Sequence, residues 1–208
     1  MKKQLKGFTL IELIIVVAIL AVLVSILVVA LNPGEQLARA RDAKRVADLD
    51  GIKSAINLYT STATGTVNLS GDSPANNRCF SNSAPTLFVN TGGAVATSTG
   101  LPTTVTSTAQ TVATSTATAA IGWLPVLLGQ TPGGAPLSVL PLDPTNGTGA
   151  NTSFFYAYGC KGSSAYELTA RLESAYYKTD LNLIGTDGGN STSTYETGTD
   201  LTIIPNGQ

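Results

Sequence analysis

Side chains able to do chemistry are sparse in this 208-residue sequence: 13 Asp and Glu, 12 Lys and Arg, two Cys and no His. The missing histidine removes the commonest general base and the commonest zinc ligand. Cys79 and Cys160 stand too far apart for the paired clusters of a zinc or iron–sulfur centre, and neither has an imidazole to activate it. With no nucleophile–base pair and no phosphate-cradling glycine loop, the expectation is that the protein is not an enzyme and needs no cofactor. A formal charge of −1 offers no basic face to nucleic acid. Three features still carry chemistry: a lone carboxylate, Glu12, inside an apolar run; the two cysteines; and Asp187 and Asp200 in a glycine-rich stretch.

Glu12 has to be positioned by what surrounds it. Residues 1–7 hold three lysines and no acid, and Phe8 to Leu31 is almost wholly apolar. Twenty-four residues rising about 1.5 Å each make roughly 36 Å of helix, enough to cross a hydrocarbon core of about 30 Å. Inside lipid only a helix satisfies its own backbone groups, whatever its β-branched content. The lysines set the amino terminus on the cytoplasmic side and predict that everything after Leu31 is exported. The run exceeds the roughly 7–15 residues of a secretory signal. A carboxylate there is costly. From the residues alone it is either an interfacial or protonated acid, or a group whose partner charge is supplied elsewhere.

A basic leader, then Gly7, then Phe8-Thr9-Leu10-Ile11-Glu12-Leu13 closely resembles the class III signal peptide of type IV prepilins and type II secretion pseudopilins. The resemblance covers about the first quarter of the chain. It implies that a prepilin peptidase/methyltransferase cuts between Gly7 and Phe8 and N-methylates Phe8. Glu12 then occupies the family's glutamate position, the fifth of the mature chain. There it meets the cationic Phe8 amine of a neighbouring subunit and offsets its burial. The same resemblance implies residence in the inner membrane, an assembly platform as partner, and a homo-oligomeric helical filament with the apolar helices at its centre. Removing the leader's three lysines leaves nine bases against 13 acids, a formal charge of −4.

Beyond the apolar run, Asn32-Pro33-Gly34 predicts an interruption or an end of the helix, through Pro33 and Gly34. Residues 32–60 continue as an amphipathic half of the stem, with Val46, Leu49, Ile52, Ile56 and Tyr59 as its stripe. Arg39, Arg41, Lys44 and Arg45 read either as contacts to headgroups or a neighbour's acids, or as a solvated face beside Asp42, Asp48 and Asp50. Residues 61–120 are rich in Thr, Ser and Ala and read as a long variable loop supplying little core. Residues 121–208 read as the β-rich head. Trp123 packs toward the stem, a Leu-Pro-Leu-Asp-Pro turn covers 140–144, and strands are expected at Ser153–Cys160, Ala165–Leu172 and Asp200–Ile204. The expected fold is therefore α+β and pilin-like: a long hydrophobic helix, then a small antiparallel sheet with a long loop.

On the exported side Cys79 and Cys160 are expected to pair. A bridge closing roughly 80 residues is worth about 4–5 kcal/mol in the chain-entropy picture. The Asp187-Gly188-Gly189 stretch with Asp200 is similar to the calcium region of major pseudopilins, although the spacing differs. The resemblance thus implies a structural calcium held by Asp187 and Asp200, against solvated turn residues. The leading expectation of function is a structural subunit of a type IV pilus-like surface filament, with adhesion as one possible role. The alternatives are a major pseudopilin of a secretion or DNA-uptake system, and a membrane-anchored protein binding surface carbohydrate or another ligand. The expected location is a single pass of the inner membrane with the head exported, then an extracellular pilus or a periplasmic pseudopilus.

Overall fold

Thr9 starts the first helix. Its hydroxyl accepts the Glu12 amide at 3.3 Å, and α1 runs Leu10–Leu31 from that cap. The helix is apolar on every side: Leu10–Val28 has a mean hydropathy of 3.2 and none of it is buried within the chain. It fits a single-pass membrane anchor. The structure is a computed structural model that describes residues 7–63, 67, 69, 78–82, 87–88, 90–91, 104–105, 123–145, 154–161 and 165–204. It divides into two units, Met1–Ala38 and Arg39–Gln208.

The interruption after α1 is carried by a different residue from those expected. Asn32 adopts the left-handed conformation, φ 40°, ψ 74°, which asparagine tolerates better than other non-glycine residues. Pro33 is instead the first residue of α2, Pro33–Thr62, where its missing N–H would be unpaired anyway. Gly34 lies within the helix.

In the second unit, the buried seam of α2 is Asp42, Arg45, Leu49, Ile52, Ile56 and Tyr59. The spacing of three and four is as expected, but the seam continues toward its start through Arg45 and Asp42 rather than Val46, which is half-buried. The 61–120 segment contributes more than a loop. It supplies β1 (Arg78–Asn82), β2 (Leu87–Phe88), β3 (Asn90–Thr91) and β4 (Thr104–Val105), and most of its other residues lie outside the described ones. β5 (Tyr156–Lys161) and β6 (Ala165–Ala170) form the expected antiparallel hairpin, from Tyr156 opposite Ala170 to Lys161 opposite Ala165. With β7 (Tyr195–Gly198) they give a five-stranded sheet in the order β3-β1-β5-β6-β7, while β2 and β4 pair separately.

Both faces of this sheet are covered, so β5 and β6 are buried almost throughout. One face carries Tyr156, Tyr158, Tyr166 and Leu168 into a core shared with Leu49, Ile52, Ile56 and Tyr59 of α2 and with Trp123, Leu124 and Leu140. Each such aliphatic side chain contributes about 1.5–3 kcal/mol by leaving water. The tyrosine hydroxyls are satisfied at the core's edge: Tyr156 donates to Asp48 at 2.8 Å and Tyr166 to Asn57 at 2.9 Å. Trp123 donates its indole N–H to the Pro141 carbonyl at 3.1 Å.

The opposite face is lined by small and acidic residues, including Ala157, Gly159, Glu167 and Thr169. Here the expectation of a strand at Asp200–Ile204 fails. Among the described residues the last strand is β7, and Asp200 then turns the chain by accepting the Thr202 amide and hydroxyl at 3.1 and 2.6 Å. The turn lays Ile203 and Ile204 over Gly159, where a Cβ would sit 2.8 Å from Ile204 Cγ1. An apolar helix, a second helix and a small antiparallel sheet together make the α+β, pilin-like architecture expected.

Candidate functional site

The amino-terminal group is built around Glu12. Thr9-Leu10-Ile11-Glu12 has the spacing of a capping box, Thr at the cap and Glu three residues on, and the Thr9 half of that box is made. Glu12 lies in the first turn of α1, where the positive end of the helix dipole favours a carboxylate. A residue costly in the middle of an apolar helix is therefore placed at the one end that tolerates it. Gly7 and Phe8 precede the cap outside helical hydrogen bonding, and both are exposed. Residues 1–6 lie outside the described residues.

A second constellation, in the Arg39–Gln208 unit, was not expected. Arg45 is fully buried and reaches three carboxylates: Asp143 through Nε at 2.6 Å and Nη2 at 2.9 Å, Asp42 through Nη1 at 2.8 Å, and Glu173 at 2.5 Å. The Phe154 ring lies 4.8 Å beneath its guanidinium carbon. Asp143 shapes the Asp143-Pro144-Thr145 turn as well, accepting the Thr145 amide and hydroxyl at 2.8 Å each. Asp42 accepts the Ser174 amide at 2.7 Å, the Ser174 hydroxyl at 2.6 Å and the Glu173 amide at 2.9 Å. Arg41 completes the cluster with a 2.5 Å contact to Glu173.

Burial alone would lower the Arg45 pKa, but Asp143, Asp42 and Glu173 outweigh it and hold the guanidinium charged. Burial likewise pushes the Glu173 carboxyl up, and Arg41 and Arg45 reverse this, leaving it below the ordinary carboxylate range. These opposite charges fasten three chain segments together: α2, the 143–145 turn and the stretch after β6. Asp42 is thus the complementary charge for Arg45 that the sequence suggests, but in a buried cluster rather than on a solvated face. Lys44 pairs with Asp48 one turn on, at 3.5 Å, and Arg39 lies 4.5 Å over the Tyr176 ring. The signal overlooked was register: Asp42 and Arg45 sit seven residues before Leu49 and Ile52, on the same seam.

The outer face of the sheet holds a second buried acid pair. Glu167 Oε2 accepts the Ile203 and Ile204 amides at 2.8 Å each, and Glu196 Oε2 accepts the Ser191 amide at 2.9 Å. Glu167 Oε1 is buried without a donor. Burial first, then the adjacent Glu196 carboxyl, push the Glu167 pKa up to about 8, against the pull of the two amides.

Asp187 and Asp200 are placed in separate turns. Both Asp187 oxygens accept backbone amides, Gly189 at 2.9 Å and Glu196 at 2.8 Å. Asp200 serves Thr202, with Lys161 at 3.9 Å. Asp187 thus holds two backbone amides and Asp200 one, the work of turn residues. Among the described residues no group of three or more His, Cys, Asp or Glu gathers as metal ligands. Cys79 and Cys160 stand directly opposite each other in the β1–β5 register.

A family model, the prokaryotic N-terminal methylation motif, matches residues 2–28. The chain thus carries a class III signal peptide of the type IV prepilin and pseudopilin kind. No curated protein and no solved structure matches it.

Proposed function

We propose that this chain, which begins with a prepilin-type signal, is a structural subunit of a type IV pilus-like surface filament. The observation carrying the reading is the methylation motif joined to an apolar helix whose cap, Thr9, and carboxylate, Glu12, fall immediately after the Gly7–Phe8 bond. Prepilin peptidase cleaves that bond and methylates the Phe8 amine. The helix leaves the inner membrane through the assembly platform, and Glu12 pairs with the amine of the next subunit. The role is structural rather than enzymatic, and the head faces outward. Favouring a pilus over a pseudopilus is the long hydroxyl-rich stretch of residues 61–120, suited to a solvated filament surface.

A disulfide between Cys79 and Cys160 belongs to this reading. Directly opposed residues of an antiparallel pair have Cα atoms about 4.5–5.5 Å apart, inside the range a disulfide spans. Mass spectrometry of the cell-derived mature protein tests the processing step. An N-methyl-Phe8 terminus is expected, and an intact Met1 overturns the reading. Sheared extracellular filaments containing the chain distinguish a pilus from a periplasmic pseudopilus.

A further inference from the structure

Between β6 and β7 the chain makes a long excursion that folds back on itself and encloses an open cleft of about 590 Å³. The volume lies within the range of about 300–1,000 Å³ usual for small-ligand sites. Its lining includes Arg171, Lys178, Asn182, Ile184, Thr192 and Ser193, and no acidic residue. Two of the nine bases that remain without the leader thus face one concavity in a chain of formal charge −4.

Most of these polar groups are not used to hold the fold together. Lys178 forms no ion pair with a described residue, and the Thr192 and Ser193 hydroxyls make no hydrogen bond to one. Asn182 is held in the left-handed conformation, φ 47°, a backbone state that accumulates at ligand sites. Its side chain occupies space that only a glycine at 185 leaves open, since a Cβ there would lie 2.6 Å from the amide nitrogen.

We propose that this cleft binds a carboxylated sugar unit of an acidic polysaccharide. Lys178 and Arg171 receive the carboxylate as charge-assisted donors. Asn182, Thr192 and Ser193 exchange hydrogen bonds with ring hydroxyls, and Ile184 supplies an apolar floor for the sugar's C–H face. Nucleic acid suits the cleft less well: no aromatic ring lines it for base stacking, and a chain with 12 bases against 13 acids has little net charge to draw a phosphate backbone.

Calorimetry on the full chain in detergent micelles tests the proposal with tetragalacturonate. The comparison ligands are its fully methyl-esterified form, inorganic phosphate and single-stranded oligothymidylate. Tetragalacturonate should bind, and esterification should weaken it at least about tenfold. Lys178→Glu should cause a comparable loss. Thr192→Val should weaken binding severalfold with an unchanged melting temperature. All these positions are on the cleft wall, so neither variant disturbs the core. The proposal is overturned by no uronate binding at millimolar concentration, by equal binding of the ester, or by an unaffected Lys178→Glu variant. Phosphate or oligothymidylate binding as tightly as the uronate would reassign the cleft to phosphate or nucleic acid and equally overturn it.

Discussion

Arg45 and Asp143, 98 positions apart in the chain, meet in a two-pronged contact fully shielded from water, Nε to Oδ2 at 2.6 Å and Nη2 to Oδ1 at 2.9 Å. The planar fork of arginine matches the two carboxylate oxygens, and its remaining donors reach Asp42, Glu173 and Thr145. Only a guanidinium serves so many acceptors from one position.

Arg45→Leu leaves Asp42 and Asp143 buried without their countercharge and should cost about 3–5 kcal/mol of stability. Urea unfolding of the full chain in micelles, followed by Trp123 fluorescence, measures it. Arg45→Lys should recover only part of the loss, because an ammonium cannot make the paired contact. An Arg45→Met, Asp143→Leu double variant should lose less than the two single changes added. An unshifted Arg45→Leu midpoint contradicts the clamp.

Stability should fall on the alkaline side because of Glu167. A folded-state pKa near 8 means that the fold holds this proton more tightly than the unfolded chain. The stabilisation is complete below the ordinary carboxylate value of 4.5, declines as pH rises, and is gone above about 8. Its slope cannot exceed about 1.4 kcal/mol per pH unit. Glu173 acts oppositely: its lowered value contributes stability above its ordinary range that is lost as pH falls. Melting temperatures recorded between about pH 2 and pH 9 should show both limbs. Glu167→Gln should flatten the alkaline one alone.

Gly198→Ala should be poorly tolerated. The added Cβ would lie 2.2 Å from the Tyr166 carbonyl oxygen, a backbone atom that cannot swing aside. Separation of β6 from β7 should cost about 1–3 kcal/mol or more. Amide exchange localised to Thr197 and Leu168, partners in that ladder, would register it.

Glu12→Val should still insert into the membrane, since it only extends the apolar run, yet it should assemble poorly for want of a partner to the neighbouring amine. Filament yield by electron microscopy against membrane-bound subunit by immunoblot separates the two steps. Yield equal to wild type would remove Glu12 from assembly.

Cys79→Ser should destabilise the head by about 4–5 kcal/mol through loss of the proposed bridge. Alkylation of the native protein before and after reduction checks the bond directly: both thiols should label only after reduction.

The parts governed by local rules were legible in the sequence. Phe8–Leu31 could only be an apolar helix, and the alternating Tyr156-Ala157-Tyr158 and Tyr166-Glu167-Leu168 could only be strands with tyrosines facing a core. Parts governed by partners far along the chain were not. Arg45 looks like a surface base until Asp143 and Glu173 are brought to it. Asp187 reads as a turn residue or a cation ligand, and nothing near it in sequence shows that the Glu196 amide, nine positions on, comes to face it. Ile203 and Ile204 look like a strand until Glu167 captures both of their amides. In each case the sequence shows the donor or acceptor but not which competitor reaches it first.

The cover that Ile203 and Ile204 place over Gly159 also imposes an order of events on a chain made from its amino terminus. Helices α1 and α2 close through neighbours a few residues away and can form as soon as they are synthesised. The head cannot, because Glu167 has no amides to accept until residue 204 exists, and loops of this length must close before the contacts reward them. The sheet therefore stays open on one side until Ile203 and Ile204 are made and close over it.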